Sequence, residues 1–343
     1  MYTIMDYIKY YKDKDIKEVP WNMMDNLLCA ILVYAPIKTD YSVKYFTTFC
    51  KECVNVKNIE TPDAMLPKVK EVCSLLIDSK RYKYMRVVNY VNRVDENTQF
   101  GAATFILRNT KVISFKGTDT SVIGWIENFK LAYEYPTYTQ RLAVNYLNNS
   151  VKLFDKNVYV VGHSKGGNLA MASVMESTNF VYNRIKRVIN FDGPGFRKEE
   201  FNSLKYDRLA RKLDNIIPSG SYVGVLMHNK NYQIVKSSSH AINVHYPTSW
   251  NSYGTVFIEG KALKMSDELH KMSTENIEKI DKESIKDVFE TVFKTFDDKK
   301  TSKIHVSLAD IKNILKNVKG KDKEAAKYVK IIITALFASS KKS

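Results

Sequence analysis

Val158-Tyr159-Val160-Val161-Gly162-His163-Ser164-Lys165-Gly166-Gly167-Asn168-Leu169-Ala170 decides the fold. The stretch opens on a short apolar run, which reads as a buried strand. It closes on small residues that continue as a helix over Asn168–Glu176. Between the two lies Gly-x-Ser-x-Gly. A serine on a sharp strand-to-helix turn needs neighbours two positions away on either side that are nearly without side chains, or they collide. The turn lifts the Ser164 hydroxyl clear of the sheet. It also aims the next backbone N–H, that of Lys165, at a developing oxyanion, and the helix adds its N-terminal partial charge. Ser164 is therefore the candidate nucleophile. A glycine-rich turn that binds phosphate is the simpler alternative.

Outward from this stretch, strands and helices alternate. Phe100–Leu107 and Lys111–Lys116 flank a turn at Asn109-Thr110 and predict a hairpin. Val122–Tyr133 and Tyr138–Phe154 carry helical periodicity, and Arg187–Phe191 reads as another short strand. Ser221–Met227 and Tyr232–Ser237, either side of Asn229-Lys230-Asn231, also read as strands. The first 80 residues read as helical, with an apolar run at Met24–Tyr34 and a helix capped at Thr61-Pro62-Asp63 that runs to about Ile77. This pattern predicts an α/β fold of the α/β-hydrolase type: a central, mostly parallel sheet with helices on both faces over residues 1–260. From about Lys261 to Ser343 the pattern turns to amphipathic helices, at Asp281–Phe296, Ser307–Val318 and Asp322–Ala338. They read as a C-terminal helical extension packed on the hydrolase body; a lid, partner-binding or membrane-contacting module is the alternative.

An exposed serine needs partners. The loop after an earlier strand, Val112-Ile113-Ser114-Phe115-Lys116-Gly117-Thr118-Asp119, offers the second oxyanion donor in the N–H of Thr118, whose hydroxyl would hold the loop. In this fold the acid and then the base follow the serine along the chain. Two acids come forward: Asp192, in the Gly- and Pro-rich Phe191-Asp192-Gly193-Pro194-Gly195, and Asp214, at or near the next strand. Two histidines follow the last core strand, His245 and His240. Asp192 and His245 are preferred, and Asp214 and His240 stay open. His163 beside the serine reads as a packing residue.

Composition narrows the class. The 343 residues are 44% hydrophobic, with 22 Tyr and 16 Phe, which is enough for a large core and excludes a disordered chain. No apolar run reaches the roughly 20 residues that span a bilayer, and the N-terminus does not read as a secretory signal. Four cysteines (Cys29, Cys50, Cys53, Cys73) include a lone Cys-x-x-Cys without further metal ligands. They read as free thiols in a reducing, cytoplasmic setting. The net charge of +16 is spread along the chain. It would favour an anionic membrane surface, whereas no nucleic-acid reading motif accompanies it.

Separated motifs, in order along the chain, then carry a resemblance. Phe115-Lys116-Gly117-Thr118 with Gly124-Trp125-Ile126-Glu127-Asn128-Phe129 resembles the oxyanion-to-helix segment of the class 3 lipases. Gly162–Asn168, Asn190-Phe191-Asp192-Gly193-Pro194-Gly195-Phe196, Pro218–Gly224 and His245 before Ser249-Trp250 are similar to a bacterial lipase-like family often called Mbeg-like. The resemblance covers roughly residues 1–260. It implies an α/β-hydrolase with Ser164 as nucleophile, Asp192 as acid, His245 as base and Thr118 in the oxyanion hole. It further implies cleavage of a carboxylic or lipid ester through an acyl-enzyme, with no cofactor and no metal. Two departures stand out. Class 3 lipases usually carry an apolar residue after the nucleophile, whereas here Lys165 is either a surface charge or a contact for an anionic substrate group. The class 3 acid also aligns better with Asp214. An acyltransferase or thioesterase on the same triad, or a silent hydrolase fold used for binding, are the rival readings.

Overall fold

The computed structural model describes residues 2–37, 41–57, 65–96, 98–119, 121–277 and 279–294, together with Lys316. The chain opens with helices α1 (Ile4–Tyr11) and α2 (Met23–Leu32), strand β1 (Tyr41–Tyr45), and helices α3 (Phe46–Asn55) and α4 (Leu66–Leu76). Strands β2 (Arg86–Val94), β3 (Gln99–Leu107) and β4 (Thr110–Phe115) lead to helices α5 (Val122–Lys130) and α6 (Tyr138–Ser150). Then come β5 (Asn157–His163), α7 (Lys165–Met175), α8 (Asn179–Arg184), β6 (Ile185–Phe191), α9 (Lys198–Phe201), α10 (Leu204–Ala210), β7 (Leu213–Pro218) and β8 (Tyr232–Val235). A two-stranded ribbon of β9 (Ser252–Tyr253) and β10 (Val256–Phe257) precedes helices α11 (Lys264–Ile277) and α12 (Lys282–Lys294).

The eight main strands form one sheet in sequence order. From β1 to β4 neighbours are antiparallel, and from β4 to β8 they are parallel. The chain has an α/β-hydrolase fold. Right-handed crossovers that always step in one direction put all their helices on one face of a sheet. Helices α6, α7 and α10 accordingly build one core with Ile113, Phe115, Val158, Val160 and Val188. The opposite face would then be bare. The N-terminal helices α1, α2 and α4 cover it, against Val112, Tyr159, Val161, Ile189 and Phe191. Alternate residues of β5 thus enter different cores, so the strand is apolar on both faces.

The sequence reading holds for the hairpin, for the strand before Ser164 and the helix after it, and for the helices at 122–133 and 138–154. The hairpin turn falls at Arg108-Asn109, because Leu107 pairs with Thr110. The reading fails at two places. The first 80 residues include β1, an edge strand, and β2 follows at once. Ser221–Met227 is a loop rather than a strand. Helix α4 begins at Leu66 with Pro67 in its first turn; the expected start at Thr61-Pro62-Asp63 lies outside the described residues. So do the expected helices Ser307–Val318 and Asp322–Ala338. Of the C-terminal extension, α12 packs Ile285, Val288, Phe289, Val292 and Phe293 onto Phe129 of α5 and Met227. The four cysteines are free and buried. Among the described residues no helix is long and apolar enough to cross a membrane.

The N-terminal cover is held together by a buried charge cluster that reaches the turn before β2. Asp25 of α2 receives Arg81 through Nε (2.9 Å) and a second nitrogen (2.6 Å), and also the hydroxyls of Tyr7 and Tyr82. The side chains of Asp25 and Arg81 are wholly buried. Removing one partner strands the other charge without solvent, which costs about 3–5 kcal/mol. Arg81→Met should therefore lower the unfolding free energy by about that amount. A urea titration would read it as a lower midpoint at unchanged slope.

Candidate active site

Parallel α/β sheets place ligands beyond the carboxyl ends of their strands. Three such ends meet here. Strand β4 runs into Lys116–Asp119, β5 into Ser164, and β6 into Asp192.

Ser164 has φ 59° and ψ −133°, a sparsely populated conformation for a residue with a side chain. The surroundings hold it there. Its N–H donates to the Phe191 carbonyl at 3.0 Å, and its carbonyl accepts from Gly167 at 2.9 Å. The flanking glycines are needed for space: a Cβ on Gly162 would stand 2.0 Å from the Gly166 oxygen, and one on Gly166 would stand 2.1 Å from the Phe115 oxygen. The Lys165 N–H begins α7 and has no partner within the helix.

Asp192 and His245 are brought together, with His245 Nδ1 donating to Asp192 Oδ2 at 2.6 Å. Asp192 is fully buried and has φ 53°. Its other oxygen accepts from Ser221 Oγ at 2.5 Å and from the Gly224 N–H at 3.1 Å. This explains why residues 221–227 form a loop: they wrap the carboxylate. Gly224 must lack a side chain, since a Cβ there would lie 2.3 Å from Asp192 Oδ1. Asn190 fixes the other flank, accepting from Gly193 N–H and donating to the Gly193 carbonyl, both at 2.9 Å.

Asp214 is not brought to this cluster. It lies on β7 level with Ile189, three residues short of Asp192, or about 10 Å along the strand. Both of its oxygens are taken by Arg187. His240 is exposed at the start of the short helical turn that carries His245.

His163 does more than pack. Its Nε2 lies 2.8 Å from the His245 carbonyl, which can only accept, so Nε2 carries the proton. Nδ1 then accepts from Tyr34 Oη at 3.1 Å, and that oxygen accepts the Gly117 N–H at 3.0 Å. The rings of His163 and His245 are 4.5 Å apart, centroid to centroid. Burial, with the charges of His245 and Lys68, pushes the His163 imidazole well below its ordinary pKa, so it stays neutral.

Lys165 overturns both expectations for its side chain. It is neither on the surface nor facing the site. It is buried, with Nζ 2.9 Å from Glu127 Oε2, 2.8 Å from the Gln99 carbonyl and 2.5 Å from Gln99 Oε1. The cation that does lie near the His245 loop is Lys68 of α4, whose ammonium sits 3.5 Å from the Tyr246 ring centre. Burial pushes it down to about 8. Sequence reasoning missed Lys68, Gln99 and Tyr34, because none stands in a motif of its own; Ser221 stood in the Pro218–Gly224 motif but was given no role.

The Thr118 hydroxyl does not hold its loop. Oγ1 is buried with no hydrogen-bond partner among the described residues. The loop is held at Gly117, where Gln99 Nε2 donates to the carbonyl at 3.2 Å, and at Asp119, which accepts from the Ser121 N–H at 2.9 Å. A Cβ on Gly117 would stand 3.1 Å from the Ser164 Cβ, so the loop lies directly against the serine.

With this geometry in place, comparison with known families returns one described as Mbeg1-like, matched over residues 76–294. The chain belongs to the Mbeg1-like family. The matched span holds Ser164, Asp192 and His245, the loop after β4, and helices α11 and α12 as well. Among solved structures the chain is similar to M37 lipase, with 13% identity, a TM-score of 0.38, and 92% of this chain and 90% of that chain covered. It is also similar to the native Rhizomucor miehei lipase propeptide complex, with 11% identity, a TM-score of 0.34, and 61% and 68% covered. The family assignment does not rest on these two. No curated protein matches the sequence.

The neutral His163 gives the fold an acid sensitivity of known sign. Below its ordinary pKa of about 6.5 the unfolded chain binds a proton there that the folded chain refuses. Stability is therefore lost as pH falls below that value, by up to about 1.4 kcal/mol per pH unit from this group. His163→Gln keeps a donor for the His245 carbonyl but cannot titrate. Urea midpoints measured from pH 7.5 to 5 should fall more steeply for the native chain than for this variant; parallel curves would contradict the assignment.

Proposed function

We propose that the protein is a serine ester hydrolase that works through an acyl-enzyme. Ser164 is the nucleophile, His245 the general base and Asp192 the acid that orients it. The observation that carries this reading is the bond from His245 Nδ1 to the buried Asp192, beside a serine held at positive φ between β5 and α7. With Nδ1 donating to Asp192, Nε2 is left to accept the serine proton. Asp192 would also stabilise the imidazolium that forms.

In this scheme Ser164 Oγ attacks the ester carbonyl while His245 takes its proton. The negative charge collects on the former carbonyl oxygen, within reach of the backbone N–H groups of Lys165 and Thr118. The Thr118 hydroxyl, which has no hydrogen-bond partner among the described residues, would be a third donor there. His245 then passes its proton to the leaving alcohol, and water cleaves the acyl-enzyme by the reverse use of the same groups. Every step is carried by side chains and backbone amides of this chain. The substrate class is a carboxylic or lipid ester; an anionic membrane surface, favoured by the net charge of +16, would present the latter. A cytoplasmic setting goes with the free, buried thiols.

A fluorophosphonate probe should label the native protein, and Ser164→Ala should abolish labelling. Absence of labelling in folded native protein would leave a binding role for the fold instead. With a short p-nitrophenyl ester, Asp192→Asn should lower kcat by about 10⁴-fold. His245→Ala should remove activity, while Asp214→Asn and His240→Ala should each retain most of it. The reverse ranking would reassign the acid or the base.

A further inference from the structure

The residue after the nucleophile is a buried lysine, and its three protons are all used. Lys165 Nζ donates to Glu127 Oε2, to the Gln99 carbonyl and to Gln99 Oε1. Glu127 is itself saturated: Oε1 accepts from Thr98 Oγ1 at 2.9 Å and Oε2 from the Gln99 N–H at 3.1 Å. The side chain of Lys165 is fully buried and that of Glu127 nearly so. One group of the network faces outward to the site: Gln99 Nε2 donates to the Gly117 carbonyl.

That single bond matters because of peptide geometry. The carbonyl of Gly117 and the N–H of Thr118 belong to one planar trans unit and point in opposite directions. Holding the carbonyl on the Gln99 side therefore turns the Thr118 N–H away from it. Glycine offers little resistance to a turn of the adjoining peptide, so the direction has to be imposed from outside. A glutamine amide alone does not impose it, because its oxygen and nitrogen ends have the same shape. An ammonium does, because it can only donate. Lys165 pins Oε1, which leaves Nε2 as the end that meets Gly117. With an apolar residue at 165 the amide could turn and set its oxygen against the Gly117 carbonyl.

We propose that Lys165, Glu127 and Gln99 form a clamp that sets the 117–118 peptide and thereby aims the Thr118 N–H at the substrate oxyanion. Lys165 and Gln99 are positioning residues, and the assignment rests on the reading of Ser164 as the nucleophile of an ester hydrolase. Lys165 then serves the oxyanion hole twice: its backbone N–H as a donor, and its side chain by orienting the other donor.

Gln99→Glu tests this with no change of shape. The introduced carboxylate still accepts from Lys165 but gives Gly117 no donor, and it favours the turned peptide, whose Thr118 N–H it would accept. Against a soluble p-nitrophenyl ester, kcat should fall by about 100-fold or more, with KM within about two-fold of the native value. The ratio of variant to native kcat should rise as pH is lowered, since protonating the new carboxyl restores a donor; dividing by the native rate cancels the pH dependence that both proteins share. Gln99→Met, which keeps bulk without a donor, should lose kcat similarly and show no such recovery. A crystal structure of the Gln99→Glu protein should show the Gly117 carbonyl turned over. If the native protein is active and labelled at Ser164, yet either variant folds and keeps kcat within two-fold, the clamp is wrong and the hydrolase reading stands. If the native protein is neither active nor labelled, the hydrolase reading itself is what fails.

Discussion

A methyl group on Gly166 would stand 2.1 Å from the carbonyl oxygen of Phe115, the last residue of β4. The first turn of α7 thus lies in direct backbone contact with the end of the neighbouring strand, and the site depends on that contact. It forces the sharp exit from β5 that holds Ser164 at positive φ. It brings the loop after β4 against the serine. It also carries the Lys165 side chain inward, under that loop, rather than out to solvent. The strain at Ser164 persists because the sheet and helix on either side over-determine it.

The sequential strand order extends this constraint to the N-terminal helices. All the crossovers occupy one face, so the other face had to be closed by α1, α2 and α4. These helices are more than a cover. Tyr34, just past α2, reaches the site and joins the Gly117 N–H to His163, which in turn holds the His245 carbonyl. The loop after β4, strand β5 and the loop that carries His245 therefore share one hydrogen-bonded chain. Nothing in the spacing of the motifs reveals such a link, because Tyr34 lies 129 residues from His163.

The strand–turn–helix around Ser164, the hairpin and the tight loop at Asp192 were legible because each depends on local chemistry, whereas the contact of Asp192 with His245 is made by the fold. Glycines at fixed offsets, apolar runs of strand length and a Gly-Pro-Gly loop leave marks in neighbouring residues. The failures have physical causes as well. Strand β2 contains a register shift between Val88 and Val91, with Asn89 at positive φ, which breaks the alternation that marks a strand. Residues 221–227 have strand-like composition, but Ser221 and Gly224 are committed to Asp192, and that tertiary demand overrides propensity. Lys165 looked like a surface charge because lysines usually are. Its acceptors come from β3 and α5, far away in sequence.

The buried lysine also bears on how the site is reached. Helix α5 follows the oxyanion loop directly, where a mobile cover would be simplest to build. Two contacts oppose such movement. Phe129 stacks on Phe289 of α12 with ring centres 4.6 Å apart, and Glu127 is the counter-ion of Lys165. The first is an apolar contact that water weakens but does not forbid. The second is more demanding: lifting α5 would leave an ammonium buried beside Gln99 with no carboxylate, at a cost of several kcal/mol. The buried pair of Lys165 and Glu127 therefore fastens α5 behind the loop after β4. Opening of this face by movement of α5 is thereby opposed from two sides.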